Sequence, residues 1–217
     1  MHQIEKNIHQ LLEEIPSEVD LVAVSKTKPL EELEIAYRSG QRIFGENKIQ
    51  EMTEKWEHLP KDIEWHMIGH VQTNKVKYMA AYVSLIHGVE SLKLIKEINK
   101  QGIKNKRIIK CLLQVQIATE STKFGLSPDE VPPLLEQSQD FDHVEVVGLM
   151  GMASFTNDTT QVRNEFNVIK NLFEKLKVKN EQLHILSMGM SGDYPIAIEM
   201  GSTMIRVGSN IFGQRNY

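Results

Sequence analysis

Short β-branched apolar runs alternate with longer amphipathic segments along almost the whole of this 217-residue chain. Strand candidates begin near Leu21, Arg42, Glu64, Val83, Ile108, Val144, His184 and Ile205; helix candidates begin near Pro29, Lys48, Asn74, Ser91, Pro128, Thr160 and Pro195. Eight strands separated by seven helices, with no Asn-Gly hairpin signal between strands, call for parallel pairing through helical crossovers. Two α/β architectures satisfy that pattern: an open doubly wound sheet and a closed (β/α)8 TIM barrel. A Gly-x-Gly-x-x-Gly turn after the first strand would mark the open sheet, but Ser25-Lys26-Thr27-Lys28 stands there. The count of eight favours the barrel. Ile4, Ile8, Leu11, Leu12 and Ile15 fall on one helical face, so an extra N-terminal helix is expected ahead of it. With no linker or composition break, residues 1–217 read as a single domain, with mobile loops expected at residues 119–123 and 155–158.

Composition narrows the function. Lysine and arginine total 25 against 29 acidic residues, a net charge of −4, which is not the electrostatic footprint of a nucleic-acid binder. The one cysteine, Cys111, lies in an apolar run and reads as buried rather than reactive. The N-terminus has no apolar signal core and no stretch approaches a membrane span, so a cytoplasmic location is expected.

Lys26 ends the apolar run Leu21–Val24 just before a proline able to open a helix. An amine at the C-terminal end of a strand stands where α/β proteins do chemistry, and partial desolvation makes such an amine a nucleophile for carbonyls. Its other reading is a lysine snorkelling at the edge of the core. Far along the chain, Ser187-Met188-Gly189-Met190-Ser191-Gly192-Asp193 and Arg206-Val207-Gly208-Ser209 follow the seventh and eighth strand candidates. Loops after those strands commonly bind phosphate in barrels, so Ser191, Gly208 and Ser209 read as two halves of a phosphate cup; Asp193 reads more simply as a helix N-cap. Arg206, inside an apolar run, needs a partner if it points inward. Strands one and eight of a barrel are neighbours, so lysine, phosphate cup and arginine converge. A phosphorylated aldehyde with a ring nitrogen fits that set, and pyridoxal 5′-phosphate (PLP) is the candidate. His66 and His70 are spaced four apart, but Gly69 between them and the lack of a third ligand argue against a metal; they read as polar rim of the barrel mouth.

Six ordered segments carry a more specific likeness: Ala23–Pro29, Phe44–Asn47, Trp65–Lys75, Gly148–Met152, Leu186–Ser191 and Arg206–Gly208. Through them the chain resembles the pyridoxal-phosphate homeostasis protein family (the YggS/PROSC family), relatives of the barrel domain of alanine racemase. The resemblance implies a fold-type III PLP barrel without the C-terminal β domain, with Lys26 as the Schiff-base lysine. It implies Ser191, Gly208 and Ser209 around the phosphate and Arg206 facing the pyridine nitrogen. It further places Asn47 near the ring's phenolic side and Met150 and Met188 around the ring.

The same resemblance bears on catalysis. Alanine racemases take a second acid/base tyrosine from an additional C-terminal domain, which this chain, ending at Tyr217, is expected to lack. Where those enzymes carry a histidine after the sixth strand, this sequence reads Gly148-Leu149-Met150-Gly151-Met152. The implied role is sequestration or delivery of PLP to apoenzymes, with no robust catalysis. Two other readings use the same lysine and phosphate logic: a fold-type III amino-acid racemase, and a cofactor-free Schiff-base aldolase of a sugar phosphate.

Overall fold

A computed structural model describes residues 2–119 and 124–214; residues 120–123 of the first expected mobile loop lie outside the described residues. Eight parallel strands close into a barrel in sequence order: β1 (Asp20–Val24), β2 (Ile43–Glu46), β3 (Glu64–Met67), β4 (Leu85–Val89), β5 (Ile109–Val115), β6 (Val144–Gly151), β7 (Ile185–Met190) and β8 (Met204–Val207). Closure comes from β1 against β8, with Asp20 opposite Met204 and Ala23 opposite Val207. Around the barrel lie α1 (Gln3–Glu14), α2 (Leu30–Arg38), α3 (Ile49–His58), α4 (Val76–Met79), α5 (Leu92–Asn105), α6 (Val131–Ser138), α7 (Thr159–Lys177), α8 (Tyr194–Glu199) and α9 (Ser209–Phe212). None of the described helices is long and apolar enough to cross a membrane.

Local chemistry accounts for the element ends. A capping box sets the start of α1, where the His2 ring accepts from Ile4 N and Glu5 accepts from His2 N. Ile4, Ile8, Leu11 and Ile15 are buried as the periodicity requires, but Leu12 is 47% exposed, because it lies on the flank of that face. The helix expected from Pro128 begins instead at Val131, since Glu130 turns back to accept from both the backbone and hydroxyl of Ser127. The helix expected near Asn74 is a 3-10 turn, Thr73–Lys75, running into α4. The short α9 after β8 carries no long periodic signal and was not foreseen from the sequence; Asn7 Nδ2 donates to Ile211 O at 2.8 Å and ties it to α1.

Strand alternation separates two apolar layers. Ala23, Phe44, Trp65, Ile86, Cys111, Leu149 and Ile205 pack outward against the helices. Val22, Leu85, Leu112, Val147, Met150 and Met204 fill the lumen. Cys111 is fully buried and its thiol is pushed up to about 12 by burial, as an inert core residue.

At Gly148 a Cβ would stand 1.8 Å from Ile185 O, the residue it pairs with across β6 and β7. A methyl there cannot be absorbed by a side-chain rotation, because the obstacle is backbone. Gly148→Ala should cost more than the roughly 1–3 kcal/mol of ordinary overpacking. Urea denaturation would show this as a large drop in midpoint or loss of the folded protein; an unchanged midpoint would mean that the β6–β7 pairing differs from this one.

Candidate functional site

At the C-terminal ends of the strands the barrel opens into a cavity of about 680 Å³. Lys26 reaches it from the turn after β1, and this turn is pinned from below. Ser25 is fully buried and donates its hydroxyl to Glu46 Oε1 at 2.6 Å. Lys55, from α3 and 5% exposed, donates to Ser25 O at 2.8 Å, Glu46 Oε1 at 2.8 Å and Glu51 Oε1 at 2.7 Å. The same Glu51 oxygen accepts from Thr27 N, whose residue sits at φ 64°, an unfavourable region for a β-branched side chain. The backbone on both sides of Lys26 is therefore fixed by one buried ionic cluster, and local strain at Thr27 is held by it. Burial raises the Glu46 carboxyl pKa, outweighing the opposing pull of Lys55 and Ser25.

The other wall comes from the last two strands. Ser191, Gly192, Gly208 and Ser209 line the cavity, and the two turns are joined where Gly208 N donates to Ser191 Oγ at 3.2 Å. Gly189, at φ 97°, bends the end of β7; a Cβ there would meet Ala197 Cβ at 2.6 Å. Asp193 occupies the N-cap position of α8 but makes no side-chain cap; Oδ1 turns back to accept from Met190 N at 2.5 Å and closes the Met190–Asp193 turn.

Arg206 lines the cavity floor and is 4% exposed. Nη1 donates to Ser187 Oγ at 2.6 Å and Nη2 to Gly151 O at 3.0 Å. Both partners are neutral. Burial lowers its pKa to about 10, with Asp193 opposing, so the guanidinium stays charged at neutral pH. A guanidinium has five donors, so a buried cation with further donors at a cavity floor suits a neutral acceptor such as a ring nitrogen.

The structure thus brings Lys26, Asn47, Ser191, Arg206, Gly208 and Ser209 onto one cavity. Met150 and Met188 are fully buried away from it, Met150 in the lumen layer and Met188 among the outward-packing residues; Met152, just past the end of β6, and Met190, the last residue of β7, line it instead. His70 is on the mouth, stacked at 4.3 Å on Phe124 and 3.3 Å from Glu90. His66 is not on the rim: it points into the lumen, 3% exposed, with Nδ1 at 3.1 Å from Nε2 of His87. Sequence reading also passed over Glu46, Lys55, His87 and Gln114. His87 and Gln114 interrupt apolar strands as Arg206 does and Glu46 ends one, so the signal that singled out Arg206 was available for these three; Lys55, between Glu54 and Trp56 on a polar helix, carries no such signal.

Comparison with known proteins agrees with this geometry. Residues 1–216 match the model of the alanine racemase N-terminal domain family. The chain is 39% identical to the pyridoxal phosphate homeostasis protein of Haemophilus influenzae over 92% of this chain and 86% of the relative. It is 40% identical to the human protein of that name over 91% and 77%. Among solved structures, PipY of Synechococcus elongatus with PLP bound superposes with a TM-score of 0.89 at 32% identity, covering 97% of this chain and 100% of PipY. An alanine racemase of Clostridium difficile shares the fold, with a TM-score of 0.83 at 13% identity, covering 99% of this chain and 56% of the racemase.

Burial lowers the His66 pKa from 6.5 to about 3. Between those values the unfolded chain binds a proton that the folded chain excludes, so stability rises with pH through this window and falls as pH drops below 6.5. For this group alone the slope approaches about 1.4 kcal/mol per pH unit. Denaturation midpoints from pH 7 to pH 4 should fall less steeply in His66→Gln than in the parent; parallel curves would place His66 in contact with water.

Proposed function

We propose, on the premise that this chain belongs to the pyridoxal phosphate homeostasis protein family and carries the alanine racemase N-terminal domain, that it binds PLP and serves cofactor homeostasis. In this reading residues 1–217 act as a single PLP-binding barrel in the cytoplasm, with PLP held as a Schiff base on Lys26. The observation that carries it is the convergence of Lys26, the Ser191–Gly208–Ser209 turns and the Arg206 cation on one cavity.

PLP supplies an aldehyde that condenses reversibly with a primary amine. The chain's own residues do the rest. The Ser25–Glu46–Lys55 cluster fixes the Lys26 backbone. Ser191 Oγ, already accepting from Gly208 N, keeps its own proton to donate to a phosphate oxygen. Arg206 offers a charged donor to a ring nitrogen and, being cationic at neutral pH, holds that nitrogen unprotonated. An unprotonated ring withdraws electrons poorly, which favours storage over α-proton chemistry. Among the described residues no tyrosine lines the cavity to serve as a second acid/base on the far face. In this reading the protein sequesters PLP, hands it to PLP-requiring apoenzymes, or does both.

Borohydride treatment of the PLP-loaded protein followed by peptide mapping tests the attachment. The phosphopyridoxyl label is expected on Lys26; label on Lys28, which also lines the cavity, or spread over surface lysines would overturn the assignment.

Ser191→Ala tests the phosphate cup. Loss of one donor to a charged oxygen should weaken PLP binding by roughly 1.5–3 kcal/mol and leave unphosphorylated pyridoxal nearly unaffected. Equal losses for both ligands in a titration would show that Ser191 acts through the fold.

A further inference from the structure

Beneath the cavity floor the lumen holds a row of polar side chains that the binding reading does not use. Ser187 and His87 are fully buried, His66 is 3% exposed, and they come from β7, β4 and β3. Ser187 Oγ lies 3.3 Å from His87 Nδ1, and His87 Nε2 lies 3.1 Å from His66 Nδ1. At its other end Ser187 accepts from Arg206 Nη1 at 2.6 Å. β4 and β7 are not neighbours in the barrel, so the Ser187–His87 contact spans the lumen. Polar groups in that position replace the bulky apolar layer usual in barrel interiors, and each has a partner.

We propose that His66, His87 and Ser187 form a one-way hydrogen-bond chain that positions Arg206 for the cofactor's ring nitrogen. The inference rests on the preceding reading of Arg206 and extends it to residues that touch neither cavity nor ligand.

The direction of the chain follows from proton counting. A guanidinium can only donate, so Ser187 Oγ accepts from Arg206 and has one proton left to give. If His87 Nδ1 donated to Ser187 instead, the hydroxyl proton would have no acceptor among the described residues; giving it to His87 Nδ1 uses every proton, so the neutral His87 ring carries its own on Nε2. That proton is given to His66 Nδ1, and His66 in turn carries its own on Nε2. Each tautomer is dictated by the one before it, back to Arg206. Burial, with Arg206 nearby, holds the His87 pKa well below its usual value, and burial takes that of His66 to about 3, so both rings stay neutral. A carboxylate in place of Ser187 would hold Arg206 as firmly but cancel its charge. A neutral hydroxyl backed by neutral rings fixes the guanidinium and leaves its charge directed at the cavity. Ser187, His87 and His66 are positioning residues for Arg206.

The test has an arm without ligand and an arm with it. Nitrogen-15 NMR of the ligand-free protein at neutral pH should show His66 and His87 as neutral Nε2–H tautomers; an Nδ1–H tautomer or an imidazolium at either ring overturns the chain. In the second arm, PLP and its 1-deaza analogue, which lacks the ring nitrogen, are titrated into parent, His87→Leu, His87→Asn and Ser187→Ala proteins. His87→Leu and Ser187→Ala should each weaken PLP roughly three- to tenfold, the scale of one ordinary hydrogen bond, and leave the deaza analogue unchanged. His87→Asn, whose Oδ1 replaces the Nδ1 acceptor, should bind PLP nearly as the parent does. Ser187→Ala removes a single atom and carries the test if His87→Leu does not fold. Equal losses for both ligands, or equal losses in His87→Leu and His87→Asn, would reduce the chain to core packing and overturn the proposal. A parent protein that binds both ligands equally would overturn the reading of Arg206 itself, and this proposal with it.

Discussion

The pairing of β1 with β8 is the contact on which the site depends. Four residues on each strand are in register, and Val22 stands opposite Arg206. That register carries Lys26 and Arg206, at opposite ends of the sequence, to the rim and floor of one cavity. Closure also removes every sheet edge, so each strand finds both its partners within the barrel. Without it the turns that carry Ser191 and Ser209 and the turn that carries Lys26 would belong to opposite edges of an open sheet.

Two buried charged groups flank this closure, and they are stabilised differently. Lys55 and Glu46 compensate each other outside the lumen, and removing Lys55 would leave the buried Glu46 carboxylate uncompensated, typically a loss of about 3–5 kcal/mol. Arg206 is held by a hydroxyl and a carbonyl, both neutral, and burial lowers its pKa against the opposing charge of Asp193. The first arrangement makes a rigid support for an amine. The second keeps a cation available to whatever enters the cavity. A cavity that holds both a fixed amine and a directed positive charge is served by opposite treatments of its two ionic groups.

Much of the site was legible as single residues out of character with their surroundings. Lys26 and Arg206 end or interrupt apolar runs, and Ser191, Gly208 and Ser209 follow the last two strands, so their position after a strand fixed which end of the barrel they share. The methionines were less legible. Period-two alternation tells which residues share a face, but the register shifts within β7–β8 pairing and in β5–β6 pairing alter which face meets the cavity, and they have no marker in one sequence. His66 illustrates the same limit: its spacing to His70 suggested a shared rim, whereas strand geometry turned one into the lumen and left the other at the mouth.

The sequence by itself determined the barrel, through the count and periodicity of its segments, and singled out Lys26, Ser191, Arg206, Gly208 and Ser209, which line one cavity. Local rules suffice for this, because strand and helix periods and turn chemistry act over a few residues. Tertiary structure alone decided the support beneath those residues: Lys55 reaching from α3 to Ser25 and Glu46, and the Arg206–Ser187–His87–His66 row across the lumen. These contacts join residues 9 to 100 positions apart. Hydrogen bonds of that span depend on the angle and register at which closed strands present their side chains, and no local pattern encodes either.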